Sequence, residues 1–446
     1  MPDLPSPFDS HRLDRLYQQL VNEEDARVCR DISESACRVV PGNFLLQITT
    51  QFFTKLGDAI ANPKTVLAWL LTALSAPAIF TAFLVPVRES GSLLPQLIIA
   101  SYVRRIPVRK WVFVVGSVLQ AVSVFGMALV AATLTGTAAG FGLLGALVAF
   151  SLSRGLCSVA SKDVLGKTVP KTRRGRVSGW SETLAGLVTI GIGVFLLLGG
   201  DGSGDRSDTS TGTWVILLAI AGGLWLVGAA TYAAIKEEPG ATEGGGNALT
   251  EAIKRLALLR DDAPFRRFVI ARSLLLCSAL SAPFFIMLAH ENTEGALIVL
   301  GLFVIADGVA NLVSAPFWGR FADKSSRWAM VVAGAASALV GLLLVAVVEF
   351  TGLAGAAWLY PLFFFLLAIA HSGVRMGRKT YVVDLAGGNK RTDYVAVSNT
   401  VIGVVLLITG SVGALANVIS ISGVIVVLAA MGLTGAWLSS RLPDVT

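Results

Sequence analysis

Asp58, Arg88, Glu89, Arg154, Asp307 and His371 each interrupt a run of apolar residues well away from its ends. An ionised side chain at the centre of a hydrocarbon layer costs about 2.5–3.5 kcal/mol on insertion scales, so such residues face a water-filled cavity or a partner. Asp58, Arg88, Glu89 and Arg154 sum to zero charge and support two readings. In one they form a fixed ion-pair network that locks three helices together; in the other a carboxylate, Glu89 or Asp58, titrates or binds a cation and frees its basic partner to meet a solute. An unperturbed histidine titrates near pH 6.5 (about), which makes His371 a candidate proton acceptor or a neutral tie between helices.

A second group is basic. Lys55, Arg272 and Arg375, with Arg378 nearby, would make the inner half of a central cavity positive and favour an anionic substrate. The competing reading lets Lys55 and Arg272 extend to the inner interface of the membrane.

The elements that must position these residues are membrane helices. Of the 446 residues 54% are hydrophobic and 15% charged, and the mean hydropathy is +0.71, against roughly 25% charged residues in soluble domains. Spans are expected at 43–72, 78–104, 110–132, 138–164, 177–199, 213–235, 266–289, 294–319, 327–349, 355–377, 395–417 and 421–440. The expected fold is an all-α membrane protein of twelve transmembrane helices in two pseudo-symmetric six-helix bundles.

An internal repeat supports the count. One constant shift places Lys110-Trp111 on Arg327-Trp328, Lys162 on Lys379, Ser181 on Ser398, Gly186 on Gly403 and Lys55 on Arg272. The same shift sets His371 on Arg154 and Asp307 on Ser90. It divides the chain into a cytoplasmic N-terminal helical segment 1–42, a first bundle 43–235, a cytoplasmic connector 236–263 and a second bundle 264–446. No cleavable signal peptide is visible, so the first span is expected to act as its own insertion signal.

The formal charge of +7 does not point to nucleic acid, because Lys and Arg gather between spans on alternate sides: Arg105, Arg109, Lys110, Arg173, Arg174, Lys254, Arg327 and Lys390 on one side, Arg206 alone on the other. This positive-inside bias predicts cytoplasmic N- and C-termini in a multi-pass protein of the bacterial inner membrane. Cys29, Cys37, Cys157 and Cys277 form no metal or redox spacing, and no His-Glu-x-x-His, Gly-x-Ser-x-Gly or phosphate loop is present. No cofactor, metal or enzymatic activity is expected, and the lipid bilayer, a small-molecule solute and a proton or monovalent cation are the expected partners of a monomer.

Gly319-Arg320-Phe321-Ala322-Asp323-Lys324 with Arg327 resembles the loop signature of the major facilitator superfamily, and the resemblance extends over 43–440. It implies that Gly319, Asp323 and Arg327 brace a cytoplasmic gate. The first copy, Tyr102 to Lys110, keeps the basic residues but has Tyr102 and Ile106 where Gly and Asp are expected. Arg154 resembles the arginine of a second signature linked to proton coupling, and the pair Lys55 and Arg272 resembles the arrangement of organic-phosphate exchangers. The fifth expected span, 177–199, has no Gly-Pro pair and so lacks the antiporter signature of drug exporters. Val85 to Gln96 and Lys162 to Thr168 are similar to a little-characterised bacterial branch. The resemblance implies a secondary active transporter working by alternating access, coupled to a proton or cation. A membrane scaffold or sensor that keeps the fold without transporting is the alternative.

Overall fold

The structure, a computed structural model, describes residues 39–103, 105–199, 211–240, 242, 256–293, 297–385 and 391–445. The N-terminal segment to residue 38, most of the connector and its Gly244-Gly245-Gly246 run lie outside the described residues. Within them the chain is all-helical: α1 Val40–Ile60, α2 Val66–Ala73, α3 Ala78–Leu93, α4 Gln96–Val103, α5 Lys110–Thr133, α6 Gly136–Thr168, α7 Lys171–Gly199 and α8 Thr211–Ala233. After a short turn of helix at Leu258–Asp261 follow α9 Ala263–Leu274, α10 Cys277–Asn292, α11 Leu297–Lys324, α12 Ser326–Phe350, α13 Leu359–Leu385, α14 Arg391–Gly410 and α15 Ala416–Ser440.

Among the described residues seven spans are long and apolar enough to cross a membrane: α5, α6, α8, α9 with α10 as one, α12, α13 and α15. Where sequence predicts the other five, the helices are interrupted, bent or less apolar, and the causes are local. Pro63 lacks an N–H and disfavours helical backbone at Asn62, so 43–72 breaks into α1 and α2. The Asn62 side-chain oxygen accepts from the Lys64 backbone N–H at 2.9 Å and holds the break open. A turn at Leu94-Pro95 separates α3 from α4. Further on, α14 tightens into a 3₁₀ turn at Ser411–Leu415, and Ser420 breaks the helical backbone with φ of 70°.

Apolar packing is distributed unevenly between the two ends of the molecule. One core joins Trp69, Phe80, Phe150 and Trp225 of the first half of the chain to Phe285, Phe303, Tyr360 and Phe364 of the second. Trp69 is fully buried there and packs edge-on against His290, ring centroids 4.8 Å apart. Toward the end that carries Arg109 and Lys236 the cores are separate. Phe265, Phe268, Trp318 and Tyr381 form one in the second half, while Phe113 with Tyr232, and Phe44 with Val177, form two in the first. The halves therefore pack against each other at one end and part at the other.

Two close helix crossings tie the halves. A Cβ added at Gly301 of α11 would lie 2.9 Å from the Gly193 carbonyl oxygen of α7, a spacing only glycine permits. At the other crossing the Ser90 hydroxyl of α3 donates to the Gly403 carbonyl of α14 at 2.7 Å.

Candidate functional site

The break between α1 and α2 exposes polar backbone and side chains at mid-depth, which a membrane helix tolerates only beside water or protein. There a cavity of about 230 Å³ is lined by Asp58, Arg88, Glu89, Arg154, Asp307 and His371, the six residues whose position inside apolar runs marks them in the sequence. They come from α1, α3, α6, α11 and α13, so both halves of the chain contribute. Arg375 lines the same cavity.

A contiguous chamber of about 590 Å³ shares Lys64, Glu89, Arg154, Ser278, His371 and Arg375 with the first and adds Arg272, Arg378 and Lys379. Together the two chambers hold three carboxylates, Asp58, Glu89 and Asp307, against seven lysines and arginines. Lys55 is not brought to them. It lines a third cavity, about 350 Å³, enclosed by first-half residues.

Asp58 is the most heavily engaged acid. Its Oδ1 accepts from Arg88 at 2.7 Å and its Oδ2 from Arg154, so one carboxylate joins α1, α3 and α6. The Arg88 guanidinium also lies over the Phe150 ring, 4.9 Å from its centroid, and its side chain is 9% exposed. The Arg154 side chain is 37% exposed into the cavity. Glu89, by contrast, is exposed to both chambers and makes no ion pair among the described residues. Asp307 receives a long 3.5 Å contact from the Asn62 amide.

Arg272 does not extend to an interface: it is 8% exposed, and its guanidinium donates to Ser398 Oγ at 2.5 Å and Asn399 Oδ1 at 2.9 Å. Asn62 and Lys64 also line the cavity, although neither is among the candidates drawn from the sequence. Lys64 Nζ stands 3.2 Å from His371 Nε2, and the signal was present as Asn62-Pro63-Lys64, a helix-breaking triplet with a cation inside an apolar run.

Of the residues expected at a gate, Arg327 makes ties within its own half. Arg327 donates to the Leu442 carbonyl at 3.0 Å and pairs with Asp444 at 3.0 Å. Its repeat mate Lys110 does the corresponding thing, donating to the Ala233 and Ile235 carbonyls at 2.9 and 2.7 Å. Beside it the fully buried Glu237 carboxylate accepts from the backbone N–H groups of Arg109 and Lys110 and pairs with Lys167 at 3.1 Å, while Asp163 pairs with Arg109 and Lys167. Gly319 has open space around it, and the Asp323 side chain lies outside the described residues.

The arrangement of helices is that of known transporters. The chain is similar in structure to the inward-open xylose transporter XylE from E. coli, with 15% identity, 91% of this chain and 97% of that chain covered, and a TM-score of 0.65. It is similar to the nucleoside transporter NupG, with 12% identity, 90% and 99% coverage and a TM-score of 0.68. A POT family transporter in complex with 5-aminolevulinic acid matches at 11% identity, 88% and 94% coverage and a TM-score of 0.66. No family model matches the sequence, and no curated protein matches it. The chain has the fold of the major facilitator superfamily.

Proposed function

We propose that the chain is a secondary transporter of the bacterial inner membrane, with twelve spans in two six-helix halves, that moves a small anionic solute by alternating access coupled to a proton or monovalent cation. The supporting observation is the pair of chambers between the halves, where seven cationic side chains outnumber three carboxylates. The uneven cores support an inward-facing state: joined apolar packing closes one end, and separate cores leave the basic end open. Rocking about the α3–α14 and α7–α11 crossings would reverse that.

Coupling follows from the Asp58 geometry. Protonation of Asp58 removes the acceptor charge that holds Arg88 and Arg154, both of which line the chamber, and frees guanidinium groups for the anion. Glu89 is the second candidate because it faces the chamber without an ion pair among the described residues. The proton-coupled xylose symporter of the same fold supports a proton as the ion. One charge crossing 100 mV supplies roughly 2.3 kcal/mol, between one and two decades of solute gradient.

Counterflow in proteoliposomes at two pH values, screening carboxylates, phosphates, sugars and amphipathic drugs, tests the reading. Anions are expected to exchange, and Asp58→Asn or Glu89→Gln should abolish pH-driven accumulation while exchange persists. Selective exchange of a neutral sugar, or accumulation intact in both variants, would sink the anion and coupling assignments respectively.

A further inference from the structure

Along α1 the residues Gln47, Thr50, Gln51, Thr54 and Asp58 recur at three- and four-residue intervals, a polar stripe roughly 16 Å long on one face of a membrane helix. Facing it on α6 are Arg154, Ser158 and Ser161, and between the two stripes lies the cavity of about 350 Å³. This crevice is distinct from the solute chambers. Its lining comes from the first half alone, and it shares only Asp58 and Arg154 with them.

Thr50 and Gln47, 0% and 1% exposed, close off the wall of this crevice. Gln51, Thr54, Ser158 and Ser161 are half-buried and line it with amide and hydroxyl side chains, a polar and roomy site for ordered water. Lys162 is exposed at the basic end of the crevice, and Lys55 lines it too. These charges oppose entry of a metal cation, whereas a proton passes along water and hydroxyls by exchange of hydrogen bonds.

We propose that the α1–α6 crevice is a proton inlet, a water file that delivers protons from the basic end to Asp58 without passage through the solute chambers. It rests on the reading of Asp58 as a coupling carboxylate. A hydronium in the crevice gives its proton to Asp58 Oδ2, leaving water behind, and the Arg154 guanidinium loses its carboxylate partner and turns to the chamber. The charged groups around Asp58 are Lys55 on α1, Lys64 at the break, Arg88 and Glu89 on α3, Arg154 on α6, and His371 with Arg375 on α13.

Two measurements test this. In a background with the four native cysteines replaced by serine, Ser158→Cys should react with a small charged methanethiosulfonate, and Ala368→Trp, which fills the solute chamber, should leave that rate unchanged while it protects Asn311→Cys. An unreactive Ser158→Cys, or one protected by Ala368→Trp, overturns the inlet. In nanodiscs, the proton uptake after a pH step that is lost in Asp58→Asn should slow on the order of tenfold in Gln51→Leu/Thr54→Val. An Asp58-dependent uptake of unchanged rate overturns the inlet alone, whereas uptake unaffected by Asp58→Asn overturns both the inlet and the coupling role of Asp58.

Discussion

His371 is held from both sides: Nε2 stands 3.2 Å from the Lys64 ammonium, and Nδ1 stands 3.0 Å from the Ser278 hydroxyl. With Lys64 as an ammonium, which only donates, Nε2 accepts, and the ring hydrogen of a neutral imidazole faces Ser278, whose own hydroxyl donates to the Leu275 carbonyl at 3.0 Å. Lys64 belongs to the first half and His371 to the second, so this contact spans the chamber.

Acid should break that contact. A proton added to His371 places a second cation opposite Lys64, so the inward-facing state loses stability as pH falls. The thermal midpoint in nanodiscs is expected to drop on acidification in the native chain and to drop less in His371→Gln. Identical pH dependence in the two would return His371 to a passive helix tie.

Asp58→Ala leaves the guanidinium groups of Arg88 and Arg154 facing each other without their shared carboxylate. Removing one member of a buried pair costs about 3–5 kcal/mol, and the partial exposure of Arg154 puts this case at the low end. Unfolding of the single variant and of Asp58→Ala/Arg88→Met separates the terms, since the double variant should recover part of the loss. A double variant less stable than the single one contradicts the repulsion.

Lys110 and Arg327 occupy equivalent positions in the repeat, yet the acids beside them should differ in weight. Glu237 is fully buried and accepts two backbone N–H groups, so Glu237→Ala should cost about 1–3 kcal/mol. The Asp444 side chain is 54% exposed, and Asp444→Ala should cost less than about 1 kcal/mol. Equal losses by thermal unfolding would refute the distinction.

The α7–α11 crossing should tolerate nothing larger than glycine. At Gly193 a Cβ would meet Ile305 Cγ1 at 2.5 Å and its backbone nitrogen at 2.9 Å, so Gly193→Val must push the halves apart. Exchange in the counterflow assay is expected to collapse, while Gly186→Ala, with open space around it, should keep native rates. Native exchange in Gly193→Val would rule out this crossing as a pivot.

Composition and the length of apolar runs by themselves determined a helical, membrane-embedded chain, because the cost of unpaired backbone in hydrocarbon leaves little else. The expense of buried charge likewise singled out Asp58, Arg88, Glu89, Arg154, Asp307 and His371 as residues needing a cavity or partner. Which partner each takes was decided only by the tertiary structure. Pairing depends on the rotation of each helix about its axis and on where helices break, and a shift of one residue turns a side chain through roughly 100°. So Asp58 joins two arginines while the adjacent Arg88 and Glu89 part company, one paired and the other facing the chamber. By the same rule Lys55 and Arg272, equivalent in the repeat, end in different cavities, and the Pro63 break carries Lys64 to a histidine on a helix of the other half.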